Sequence, residues 1–144
     1  MIILPVTLTI AGAAAIVNLW LAIRVAGPRV KSKVSIGHGN VPLLEARMRA
    51  HSNFVEYTPF ILILMGLIEL ARGTSTTLWV IGIIYIVGRL LHGIGLDSNA
   101  RMRFRQVGIL VTFLSLLVLA GWAVSIPYVT KDGTITTVSS DSAH

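Results

Sequence analysis

The chain has 144 residues, 54% of them hydrophobic and only 12% charged, with a net charge of +6 and no cysteine. Soluble domains carry about 25% charged residues, so this composition excludes an ordinary water-soluble globule and points to a bilayer. The absence of thiols excludes disulfides, Cys-ligated metals and catalysis by a protein thiolate.

A helix needs about 20 apolar residues to cross the hydrocarbon core. The first candidate covers residues 4–26 and carries Asn18 and Arg24 as its strongly polar groups. Gly27-Pro28 is expected to end it. No basic segment precedes it and no small-residue cleavage site falls before Arg24, so it reads as a retained span and not a removable signal. A basic, Gly-rich loop follows, from Arg29 through Lys31 and Lys33 to Gly39-Asn40.

The second span opens on Pro42, a favourable first-turn residue, and runs to about residue 71. Its first half holds Glu45, Arg47, Arg49, His51, Asn53 and Glu56; its second half is apolar, with Pro59 between the two. The third span covers residues 78–96 and contains Arg89 and His92. The fourth starts near Arg101, has Arg103 and Arg105 in its first turns, and continues apolar to Val124. After Pro127 the chain is polar, which divides it into a membrane domain, residues 1–126, and a tail, residues 127–144, expected to be mobile.

Short connections make successive spans antiparallel. The fold class is therefore all-α: an up-down bundle of four transmembrane helices. The first and third loops share a side, which gathers Arg29, Lys31, Lys33, Arg101, Arg103 and Arg105, while Arg72 and Lys131 on the other side each have an acidic neighbour. The positive-inside rule makes the basic side of this multi-pass chain cytoplasmic and puts both termini outside. Basic residues at the ends of apolar runs are topology signals, so nucleic acid is not an expected partner; membrane lipid is.

Charges inside spans rarely persist without a use or a partner, so their angular positions matter. Each helical residue turns about 100°. Glu45, Arg49, Asn53 and Glu56 then occupy one face within roughly 80°, with Arg47 and His51 on the other side. Tyr85, Arg89 and His92 share a face of the third span, and Arg101, Arg105, Gly108 and Thr112 share one on the fourth. Arginines facing two glutamates leave positive charge over, and guanidinium forks suit carboxylates. A small peptide-like molecule with several carboxylates fits that surplus. The competing reading is structural: Arg49 with Glu45 or Glu56 stitching helices together, His92 as a helix contact and Tyr85 as packing.

Residues 45–60, EARMRAHSNFVEYTPF, contain the frame E-x-x-x-R-A-H-x-N-x-x-E-x-x-P-F. This resembles the signature of the MAPEG family, membrane-associated proteins in eicosanoid and glutathione metabolism. Gly88-Arg89-x-x-His92 and Arg105 extend the likeness, which runs to about Trp122. The resemblance implies a bacterial-type member: a homotrimer with active sites between subunits near the cytoplasmic face, and glutathione as cosubstrate. By position it implies glutathione contacts from Arg49, Asn53 and Glu56, from Arg89 and His92, and from Arg24 by a looser alignment. Arg105 matches the arginine that stabilises the glutathione thiolate and is the catalytic candidate. No metal site is implied.

The resemblance also implies chemistry. A free thiol has a pKa of about 8.5 and is mostly protonated at neutral pH; a nearby guanidinium favours the thiolate. The expected activity is a glutathione transferase, with peroxidase capacity, acting on a lipophilic second substrate that enters from the lipid. Two positions depart from eicosanoid-type members: Leu96 stands where they have a tyrosine, and Gln106 where they have a hydroxyl residue. These departures suit the alternative of a non-catalytic lipid-binding or scaffold protein. A proton-driven exporter fits poorly, because the first span has no acidic residue.

Overall fold

The computed structural model describes residues 3–97 and 102–131. They form four helices: α1 (Pro5–Lys31), α2 (Pro42–Arg72), α3 (Thr76–Gly95) and α4 (Met102–Lys131). Each is long and apolar enough to cross a membrane. Arg101 and residues 132–144 of the expected tail lie outside the described residues.

Large apolar side chains cover the outside. Ile16, Phe60 and Leu117 are all more than half exposed, as expected where lipid, and not water, is the solvent. Inside, one apolar cluster gathers Val6 and Ile10 of α1, Ile61, Met65 and Ile68 of α2, Leu78 and Tyr85 of α3 and Leu119 of α4. The Tyr85 hydroxyl is also satisfied, 2.7 Å from Thr58 Oγ1. α2 and α3 occupy the middle: each touches the other three helices, whereas α1 and α4 do not meet among the described residues.

α1 does not stop at Gly27-Pro28 as the sequence suggests; it continues to Lys31. Proline at position 28 removes the N–H that would bond the carbonyl four residues back, that of Arg24. Arg47 of α2 supplies the missing donor, with its Nη1 3.0 Å from the Arg24 carbonyl oxygen. A neighbouring helix thus repairs the break, which bundles allow within a membrane. α4 likewise continues through Pro127 to Lys131.

The start of α1 is held from α2. Its N-cap residue, Leu4, has no side-chain acceptor for the first free N–H groups. Glu69 takes them instead: Val6 N and Thr7 N donate to its two carboxylate oxygens at 3.0 and 2.9 Å. The Thr7 and Thr74 hydroxyls donate as well, at 2.7 and 2.9 Å. Negative charge at a helix N-terminus is also favoured by the helix dipole.

α3 and α4 approach closely through glycines. A Cβ on Gly95 would lie 2.4 Å from the backbone nitrogen of Arg105, and one on Gly108 would lie 2.6 Å from His92 Cβ. Small residues permit such backbone contact in membranes, and here they set His92 against the first turns of α4.

Candidate functional site

The site is built around Arg89 in the last third of α3. Its side chain is only 1% exposed. Nη1 donates to Asn53 Oδ1 of α2 at 2.9 Å and to Thr112 Oγ1 of α4 at 3.1 Å. Thr112 spends its own proton on the Gly108 carbonyl at 2.9 Å, leaving a lone pair for Arg89. The guanidinium carbon lies 5.5 Å from the centre of the Phe54 ring. Nε and Nη2 are buried with no hydrogen-bond partner among the described residues. A buried cation without an anion is costly, and among the described residues no carboxylate pairs with it.

In front of Asn53 lies a cavity of about 180 Å³ lined by Arg49, Ser52, Asn53, Glu56, His92 and Leu96. Two of its groups are oriented by their partners. Asn53 Oδ1 is taken by Arg89, so its amide N–H₂ is free to donate. His92 Nδ1 lies 3.2 Å from the Arg105 carbonyl oxygen; a carbonyl only accepts, so Nδ1 carries the proton and Nε2 of the neutral ring is an acceptor. Ser52 donates to Glu56 Oε1 at 3.2 Å. Arg49 and Glu56 are exposed in the single subunit. Among the described residues no ion pair joins Arg49 to Glu45 or Glu56. The donors and acceptors left open suit a guest that carries both carboxylate and amine groups.

The structure brings Arg49, Asn53, Glu56 and His92 to one cavity. Arg89 stands behind Asn53, off the lining. Arg105 meets the cavity through its carbonyl on His92, while its side chain is exposed in the single subunit. Arg24 belongs to another cluster, where it pairs with Asp97 and stacks over Trp20 at 4.4 Å. Arg47 binds the same carboxylate, Nε to Oδ1 at 3.1 Å. Burial disfavours the Asp97 carboxylate, but the Arg47 hydrogen bonds and the Arg24 charge outweigh it and hold the group below its ordinary range. Asp97 thus ties the end of α3 to α1 and α2. His51, on the same side as Arg47, binds Asn18 Oδ1 of α1 through Nε2 at 2.9 Å.

Sequence reasoning missed Ser52 and the Asp97 clasp. Ser52 carried a local signal, its four-residue spacing from Glu56. Asp97 carried only its identity as an acid beside a turn, since both of its partners are far away in the chain.

A model of the MAPEG family matches residues 7–125. The inner membrane protein YecN of Escherichia coli strain K12 is 31% identical over 91 residues, covering 63% of this chain and 69% of YecN. YecN of an O6:H1 strain of the same species matches to the same extent. With most of its length matched and four membrane-spanning helices, the chain belongs to the MAPEG family, as a multi-pass protein of a bacterial inner membrane.

Proposed function

We propose that this protein is a glutathione-dependent transferase, with peroxidase capacity, acting on lipophilic electrophiles or hydroperoxides. The observation that carries the reading is the unbalanced positive charge at the cavity. Among the described residues no carboxylate pairs with Arg49 at its rim, and Arg89, buried behind Asn53, keeps two nitrogens without partners. A tripeptide thiol brings two carboxylates, which answer that excess of positive charge.

Arg105 is assigned the thiolate. Its charge lowers the cost of losing the thiol proton, which passes to solvent. The thiolate sulfur then bonds to the electrophilic carbon of the second substrate as the leaving group departs with its electron pair. That substrate arrives from the surrounding lipid. Glu45, Arg49 and Glu56 lie exposed on one face of α2, and charged groups in a span rarely face lipid. This supports a homotrimer in which a neighbouring subunit covers that face, with the basic end cytoplasmic and the termini outside.

Titration calorimetry of glutathione into the detergent-solubilised protein tests binding, with Arg49→Ala as the weakened control. Turnover with an activated aryl halide tests the chemistry. Arg105→Ala should lower the rate at neutral pH by about 100-fold, the scale for losing one charge-stabilising donor. An intact rate in that variant overturns the role given to Arg105.

One observation favours a second reading, a lipid-binding protein without catalysis: Leu96 lines the cavity where a hydroxyl would assist the thiol. In that case a fatty acid, and not glutathione, should raise the melting temperature.

A further inference from the structure

The loop between α1 and α2 is more tightly constructed than a connection of its length requires. Arg29, in the last turn of α1, donates Nη1 to the Val34 and Ser35 carbonyls at 3.3 and 3.1 Å. Lys33 and Asn40 adopt positive φ, as do Gly37 and Gly39. A Cβ on Gly39 would lie 2.5 Å from Val34 Cγ2, so the loop folds back on itself there. At Lys33, a residue type that rarely adopts this region, such a conformation persists only where the surroundings enforce it.

This construction holds up His38, whose ring is itself oriented. The Asn40 backbone N–H donates to His38 Nδ1 at 3.2 Å. Nδ1 is therefore the acceptor nitrogen, and Nε2 of the neutral ring carries the proton and donates. His92 has the opposite arrangement. His38 lines a second cavity of about 210 Å³, together with Glu45, Met48, Arg49 and Ser52. Arg49 and Ser52 also line the inner cavity with Asn53, Glu56 and His92, so the two spaces adjoin.

The second cavity offers a guanidinium, an N–H donor and a carboxylate within one small space. An α-amino acid group presents the complement: a carboxylate for Arg49 and His38, and an ammonium for Glu45. We infer that His38 and Glu45 form an outer subsite that holds the amino-acid end of an extended, zwitterionic peptide ligand, with Arg49 shared between the two cavities. Resting on the glutathione reading above, this assigns the γ-glutamyl end to the outer cavity and the rest of the molecule to the inner one.

The test is titration calorimetry of the detergent-solubilised protein with glutathione and with cysteinylglycine, which lacks the γ-glutamyl end. Wild type is compared with His38→Ala, His38→Gln and Glu45→Gln. Glutathione affinity should fall about tenfold in His38→Ala, the scale of one hydrogen bond to a charged group. It should recover in His38→Gln, whose amide N–H₂ replaces Nε2–H, and should fall again in Glu45→Gln. Cysteinylglycine should bind wild type and His38→Ala alike, because the group that His38 meets is missing. Equal losses for both ligands in His38→Ala overturn the subsite and make the loop merely structural. Unchanged glutathione affinity in His38→Ala also overturns it while leaving the glutathione reading intact. Failure of wild type to bind glutathione overturns both.

Discussion

The two ends of the bundle each bury a charge, and they treat it in opposite ways. Glu69, 2% exposed, receives two backbone N–H groups and two hydroxyls on its carboxylate. Arg89, 1% exposed, satisfies one nitrogen and leaves Nε and Nη2 without partners. These donors come from the first turn of α1 and from Thr74 just after α2, so the carboxylate is satisfied within the described residues. The acceptors that Arg89 lacks are not found among the described residues. Completed networks stabilise; an unpaired buried charge beside a cavity is a functional-site candidate.

The contrast is broken or sharpened most forcefully at Glu69. Glu69→Ala leaves the first N–H groups of α1 uncapped, and should lower unfolding stability in detergent by about 3 kcal/mol. Its glutathione affinity should match wild type once the folded fraction is accounted for. A loss of affinity as large as that of Arg49→Ala would mean that the two ends are not separable. Arg89→Met should behave conversely. It removes a poorly satisfied cation, so stability should change by less than about 1 kcal/mol, while glutathione affinity falls roughly tenfold. A severely destabilised variant with normal affinity would make Arg89 a structural residue.

The smallest effect belongs to Asp97, a charge at the same end as Arg89 that is satisfied within the chain. Its carboxyl titrates below the ordinary value in the folded protein. Its contribution is therefore whole above about pH 4, the unfolded range, and is lost as the pH falls through the lower folded value. The gap in melting temperature between wild type and Asp97→Asn should be constant from pH 7 to 5 and close toward pH 3. It should correspond to about 1 kcal/mol, since both ends of the pair keep some contact with solvent. A gap that persists at pH 3 would show that the clasp does not depend on ionisation.

Much of the site was legible in local spacing. Arg49, Asn53 and Glu56 fall on one helical face by the 100° turn alone, and the structure does gather them at one cavity with His92. Arg24 shows where that reasoning stops. Its place on α1 made it resemble a ligand contact; its Nη2 pairs with Asp97, 73 residues away, while Nη1 is buried with no partner among the described residues. Gly27-Pro28 was misleading for a related reason. Proline ends a helix unless another group serves the freed carbonyl, and Arg47 of α2 is that group.

What the sequence determined by itself is the membrane, the four antiparallel spans, the basic end and the polar faces of α2 and α3. These depend on hydropathy and helical period, which act over a few turns. Tertiary structure alone decided which charges are satisfied. The Glu69 cap joins residues 63 positions apart, and nothing near either partner announces the other. Whether a buried charge is structural or available depends on which groups packing brings within about 3 Å of it, and that distance exists only once the helices have met.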